Sequence, residues 1–459
     1  LRVDPYPFRH TLSGELAMTT APKNMTDAII RDVTLYSGGQ WLTGRDVVVS
    51  NGVVESIEKS TGTATPGSVD GSGAYLIPGF VNTHTHLQQS LMRGIAEGTP
   101  LLEWLLAVAE ESVQITPERA YTATVAASLE ALRSGTTTLV EHMWPHPSSE
   151  VHDAVIRALH DTGIRAVLGR GTADRADKTR KWGFDPRLMQ PLGDVLAHTD
   201  QMMRDVAGSR IDVAVAVPNP RSLTPDGMSE VREFAQARDL TVSIHLLETQ
   251  TDNTMCTEHA GMNAVDYLDS HGFLWDRVLA VHCVELDDRG QKVLAERGVG
   301  VSYNPVSNMR LGSGIAPVPS FLDAGIAVGL GVDGAASNDT QDMLETLRTG
   351  AYVQRAARGR ADLLGFEAMI DIASGGANAA LGLPARSGGI SVGDPADLTM
   401  IRFERDFGCL PVRDPGASIL TTGSRQIVDT VLVAGEVVLR EGHSTRVDEA
   451  ELIRTLSAL

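Results

Sequence analysis

Between residues 75 and 332, eight short, mostly β-branched apolar runs alternate with segments that carry helix start and stop signals. No other feature of the chain limits its fold as tightly. The runs cover 75–82, 136–141, 164–170, 211–217, 241–246, 278–282, 300–303 and 326–332. They are largely apolar at every position, as strands buried on both faces must be. Between them, Thr116-Pro117 and Thr224-Pro225 pair a capping hydroxyl with proline at the first helical position. Tyr121, Val125, Leu129 and Leu132 recur on one helical face, and Gly163 and Gly298 sit where left-handed helix caps belong. Eight strand–helix units predict an α/β fold, a (β/α)8 barrel, with chemistry at the C-terminal ends of its strands.

The two ends of the chain read differently. Runs at 29–36, 46–49 and 53–57 are β-like and are split by Ser37-Gly38-Gly39 and by the hairpin signal Asn51-Gly52. Similar runs return at 397–401, 428–433 and 437–439. This predicts one small β-sandwich domain built from both termini, residues 26–77 with 389–459, around a barrel spanning 78–388. Residues 1–25 are polar, contain three prolines, and read as a loose extension.

A net charge of −19 argues against nucleic acid and anionic membranes as partners. No run approaches the roughly 20 apolar residues of a membrane helix. The three cysteines form no CxxC pair and imply no disulfide framework, so a reducing cytoplasm is the expected location.

Polar residues cluster at the predicted strand ends. "PGFVNTHTHL" puts His84 and His86 after the first strand, two apart and so facing the same way. His245 ends the fifth strand, His282 the sixth and Asp333 the eighth. Each alone is commonplace, but a barrel brings these ends to one mouth. Three imidazoles and a carboxylate suit one divalent ion per chain, Zn²⁺ or Fe²⁺, with room for a water. Such an ion lowers the pKa of a bound water to about 7. Glu248, three residues beyond His245, is placed to shuttle a proton.

These motifs, with "SIHLLET", "AVHCVELDD", "NPVSNMRLGSGIAPV", "GLGVDGAASND" and "GGISVGDPADLTMI", resemble the amidohydrolase superfamily over about residues 27–455. The similarity is to the branch of S-adenosylhomocysteine and methylthioadenosine deaminases, guanine-type deaminases and s-triazine hydrolases. The resemblance implies that His84, His86, His245 and Asp333 hold one metal, zinc before iron. It implies that Glu248 protonates a ring nitrogen, that His282 orients the attacking water and that Asp333 takes its proton. Binuclear relatives use a carboxylated lysine at the end of strand 4, and none of the five lysines falls near 211–217, which favours a mononuclear site.

The resemblance thus implies a metal-dependent aminohydrolase that deaminates an amino-substituted N-heterocycle of purine, pyrimidine, pterin or triazine type and releases ammonia. The alternative is hydrolytic dechlorination or dealkylamination of an s-triazine-like ring. Two segments pull apart on substrate. Pro218-Asn219-Pro220-Arg221 lacks the histidine of nucleoside-type deaminases, whereas Gly334-Ala335-Ala336-Ser337-Asn338 matches their pattern. Gln89 is expected to contact substrate. Trp104 either stacks on a flat ring or fills the core. His142 touches substrate or stands behind it, and Asn304 lines the pocket or caps its loop. Relatives also suggest a homo-oligomer, a dimer or larger.

Overall fold

The computed structural model describes residues 27–62, 67–384 and 386–459. The expected N-terminal extension, 1–25, lies outside the described residues.

Eight parallel strands form the barrel sheet in sequential order. They are β1 (Phe80–Thr85), β2 (Thr136–His142), β3 (Arg165–Gly171), β4 (Ile211–Val217), β5 (Val242–Leu246), β6 (Val278–His282), β7 (Gly300–Tyr303) and β8 (Val328–Leu330). Every residue of β1, β2, β6, β7 and β8 is buried, as the unbroken apolar runs require. The ring closes between β1 and β8 at the mouth. There Asp333 N–H donates to the His84 carbonyl at 2.9 Å, and Val332 N–H donates to Asn82 Oδ1 at 3.1 Å. The helix signals operate as read. Thr116 caps Pro117–Arg133 by accepting from Arg119 N–H, Thr224 caps Pro225–Ala237, and Gly163 and Gly298 end their helices with φ of +74° and +70°.

One expected strand divides. Of the run 75–82, Tyr75–Pro78 joins the terminal sheet and Phe80–Thr85 opens the barrel. Gly79 makes the crossing because the backbone there presses on β2: a Cβ would lie 2.1 Å from Thr137 Cγ2.

The expected β-sandwich takes the form of one mixed nine-stranded sheet drawn from both ends of the chain. Tyr75–Pro78 lies between Leu398–Ile401 and Ala28–Ser37, so the N- and C-terminal segments pack side by side and meet at that strand. Ile30, Val33, Leu35, Val47, Leu76, Leu398 and Met400 form its core. No described helix is long and apolar enough to cross a membrane.

Asp397 ties this sheet to the barrel. Its carboxylate accepts from Arg165 Nε (2.8 Å) and Nη2 (3.2 Å) of β3 and from Ala434 N–H (2.7 Å), while its carbonyl accepts from Gly79 N–H. Asp397→Ala leaves three donors without their acceptor, at a cost of about 1–3 kcal/mol. The apparent Tm of the variant should fall while kcat/KM stays within about twofold of the parent. An unchanged Tm would show that the tie carries no stability.

Candidate active site

The strand ends converge as barrel geometry demands. The ligand atoms of His84, His86 and Asp333 lie within 4.8 Å of one another, as do those of His84, His245 and His282. Asp333 Oδ1 stands 3.4 Å from both His84 Nε2 and His86 Nε2. Leu247, His282, Cys283 and Asp333 all adopt left-handed φ between +51° and +74°. This backbone is uncommon outside glycine and turns the chain sharply at the mouth.

The ring orientations are set from behind. His86 Nδ1 donates to the His142 carbonyl and His245 Nδ1 donates to the Pro218 carbonyl at 2.7 Å. Each bond fixes the tautomer that leaves Nε2 with a bare lone pair facing the centre. His84 is fully buried, and neither ring nitrogen makes a well-formed hydrogen bond. Burial pushes its pKa down to about 4, and it lowers those of His86, His245 and His282 as well. Neutral imidazoles with unused lone pairs around a carboxylate are the donor set of a divalent cation, so the residues present fit a metal.

The carboxylates are driven in opposite directions. Burial works to raise the Asp333 pKa, but the imidazoles of His84, His282 and His86 beside it hold it well below the ordinary value. Ser307 Oγ (2.6 Å) and Gly334 N–H (2.7 Å) also donate to it. Glu248 is raised well above its usual range by burial, then by the charges of Asp333 and Asp252, which favours its protonated form. Its Oε2 lies 3.6 Å from His282 Nε2. The Asn304 and Asn308 side-chain amides approach His282 Nδ1 at 3.3 and 2.9 Å. Asn304 Oδ1 is engaged by the Ser302 hydroxyl, so its NH₂ faces Nδ1 and the imidazole proton resides on Nε2.

A cleft opens over this nest, lined by His86, His245, Glu248, His282 and Asp333. Trp104 lines it, with its Nε1–H tied to the Ala336 carbonyl. Gln89, His142 and Asn304 do not line it. Gln89 is sealed behind Gly334, where a Cβ would lie only 1.9 Å from Gln89 Oε1. His142 stands behind His84 and His245, bonded to Ser243 Oγ, and Asn304 backs His282. Substrate contact was the expectation for Gln89 and one of two for the others; none of the three is among the residues that line the cleft.

Sequence reasoning missed Arg180, Arg221 and Asp252, which line the cleft with Trp144. Arg221 lies in the Pro218–Arg221 segment whose departure from the nucleoside-type pattern was the available signal. Arg180 sits in the long connection after β3, with no local motif to mark it. Glu141 was also missed. Its Oε2 accepts from Leu87 N–H at 2.7 Å, anchoring the turn that carries His86, and burial pushes its pKa up to about 8.

Comparison with known proteins agrees with this geometry. The chain is 34% identical over 391 residues to a 5-methylthioadenosine/S-adenosylhomocysteine deaminase of Desulforudis audaxviator, covering 84% of this chain and 86% of that protein. It is 32% identical over 430 residues to a 5'-deoxyadenosine deaminase of Methanothermobacter thermautotrophicus, covering 91% and 97%. Among solved structures, an adenosine deaminase from Xanthomonas campestris with bound zinc superposes with a TM-score of 0.85 at 28% identity, covering 94% and 97%. An atrazine chlorohydrolase from Arthrobacter aurescens TC1 complexed with zinc gives 0.87 at 25%, covering 94% and 99%. The Amidohydrolase family model matches residues 75–438, from the last strand before the barrel almost to the end of the terminal sheet, and the chain belongs to that family.

Proposed function

We propose that this enzyme deaminates an adenine-type ring, replacing an exocyclic amino group with a carbonyl oxygen. It is a metal-dependent hydrolase of carbon–nitrogen bonds in cyclic amidines. The observation that carries the reading is the geometry of one mouth: His84, His86, His245 and Asp333 converge there, with Glu248 Oε2 3.6 Å from His282 Nε2. The relatives named for adenine nucleosides support the ring type.

His84, His86, His245 and Asp333 would hold one ion, zinc in keeping with the zinc-bound relatives. When bound, the ion supplies an acidified water as nucleophile at neutral pH. Asp333 accepts the proton that this water gives up. His282 Nε2–H donates to the attacking oxygen and sets its line of approach to the ring carbon. Glu248 delivers its proton to the ring nitrogen beside that carbon, so the carbon can accept the new C–O bond without charge building on the ring. The C–N bond then breaks: Asp333 passes its proton to the amino nitrogen, which leaves as ammonia, the new hydroxyl returns a proton to Glu248, and the carbonyl remains. Trp104 offers its ring to the flat substrate. His142 and Asn304 act through the residues they brace. The structural neighbours that hydrolyse triazines make chloride or alkylamine the products to look for beside ammonia.

We also propose a cytoplasmic location, in keeping with three buried free cysteines, and a homo-oligomer. Phe407, 91% exposed, and Leu410, 49% exposed, supply an apolar surface for such an assembly.

Glu248→Gln should lower kcat by about 10²-fold or more while metal content and Tm hold. Because burial and neighbouring negative charge raise the Glu248 pKa, parent kcat/KM should decline as pH climbs through that pKa. The variant should lack this limb, and equal turnover in the two proteins would remove Glu248 from the chemistry.

Chelation should abolish activity and zinc should restore it. The metal-free protein should also lose stability as pH falls from about 6.5 toward about 4. Over that range the unfolded chain binds a proton that folded His84 refuses, worth about 1.4 kcal/mol per pH unit for each such imidazole. Urea melts of apo-protein with no slope there would contradict the buried neutral nest.

A further inference from the structure

Glu248 is buried at the mouth, yet its carboxyl makes a single hydrogen bond among the described residues: Ser313 Oγ donates to Oε1 at 3.1 Å. Oε2 stands 3.6 Å from His282 Nε2, beyond hydrogen-bond distance. The backbone beside Glu248 is fixed by the chain that leaves β6. Cys283 N–H donates to the Leu246 carbonyl and Glu285 N–H to the Leu247 carbonyl, both at 3.0 Å. Backbone alone does not orient the carboxyl group, because the last torsion of a glutamate side chain is broad and nearly two-fold. Without a partner, either oxygen is free to turn to the cleft.

Ser313 is itself held by the turn Leu311-Gly312-Ser313-Gly314. Its N–H donates to the Asn308 carbonyl at 2.8 Å, which folds the turn back on the short helix Pro305–Arg310 after β7. Gly314 has a φ of +126°, outside the left-handed well that other residues use. A Cβ there would lie 2.8 Å from Val284 Cγ1, two residues past His282, so the turn packs against the exit of β6. The same helix serves two more groups. Ser307 Oγ donates to Asp333 at 2.6 Å, and the Asn308 amide lies 2.9 Å from His282 Nδ1. Arg310 anchors the helix through Nε to Asp339 (2.7 Å) and Nη1 to the Ala336 carbonyl (2.9 Å). Residues 307–313 thus hold Asp333, His282 and Glu248 in one frame.

We propose that Ser313 is a positioning residue for proton delivery: its hydroxyl occupies Oε1 of Glu248, so that Oε2 is the oxygen that carries the proton to the ring nitrogen. This role rests on the deaminase reading, which makes Glu248 the donor. A proton on Oε1 would compete with the Ser313 hydroxyl, whereas a proton on Oε2 lies toward His282, which orients the attacking oxygen. Transfer of that proton leaves a carboxylate whose Oε1 the same hydroxyl continues to stabilise. The proton that the new hydroxyl returns to Oε2 restores the acid.

Methylthioadenosine, S-adenosylhomocysteine and 5'-deoxyadenosine are the substrates to assay with the zinc-loaded enzyme. On whichever releases ammonia, Ser313→Ala should lower kcat about tenfold and leave KM within about twofold, at unchanged Tm and zinc content. In the Glu248→Gln background, where no proton is delivered, the same substitution should change kcat by less than about twofold. A serine that only supports the fold would cost the same factor in both backgrounds. Equal losses, a loss carried by KM, or no loss of kcat overturns the assignment.

Infrared spectra of the zinc-loaded protein read the contact without turnover. The carboxyl band that Glu248→Gln removes should shift in Ser313→Ala, and an unshifted band also overturns the assignment. A shifted band in a protein that releases no ammonia from any substrate would uphold the Ser313 contact and sink the deaminase reading. Ammonia release with an unshifted band would do the reverse.

Discussion

The site depends on one closure. Asp333 N–H reaches the His84 carbonyl across the gap between the first and last barrel strands, and Asn82 supplies a side-chain acceptor for Val332 N–H beside it. A parallel sheet of eight strands has two free edges until these bonds form. Once they do, a carboxylate from the end of the barrel lies 3.4 Å from two imidazoles at its start, although nearly 250 positions separate them in the chain. The closure is made by backbone and amide groups at the mouth itself, so the last turn of the ring and the assembly of the site are one event.

Burial then does chemical work. Removing imidazoles from water keeps them neutral, the form that can donate a lone pair. The same desolvation raises Glu248, which faces a buried Asp333 of like charge, yet fails to raise Asp333, which accepts from Ser307 and Gly334 and is surrounded by imidazoles. Two carboxylates at one mouth thus divide into an acid and a base because their immediate neighbours differ. Behind them, His142, Asn304, Asn308 and Glu141 hold the rings and the His86 turn in position. Such a backing is needed because a ligand ring free to rotate would lose its alignment with the centre.

Much of this was legible before any coordinates. The period of apolar residues, the Thr-Pro caps and the two glycine caps are local signals, and they marked all eight barrel strands. His84, His86, His245, His282, Asp333 and Glu248 stood out because strand ends in a barrel share one mouth. The division of 75–82 at Gly79 was not legible, since what breaks that strand is the approach of Thr137 from a different strand. The wall residues fared worse. Gln89 follows the paired histidines at a spacing that suggests substrate contact, but Gly334 leaves just enough room to seal it from the cleft.

By itself the sequence determined the alternation of strand and helix, the meeting of both termini in β structure, and the chemical identity of the mouth. These follow from hydrophobic period, capping chemistry and strand-end position, all of which are written locally. Only the tertiary structure decided what lines the cleft. Arg180 belongs there because its connection folds over Trp144 and Phe184, and no propensity of residues 172–191 encodes that path. Loop course is set by packing against distant strands, so the strand-end groups could be read from the chain while the loop groups that line the cleft could not.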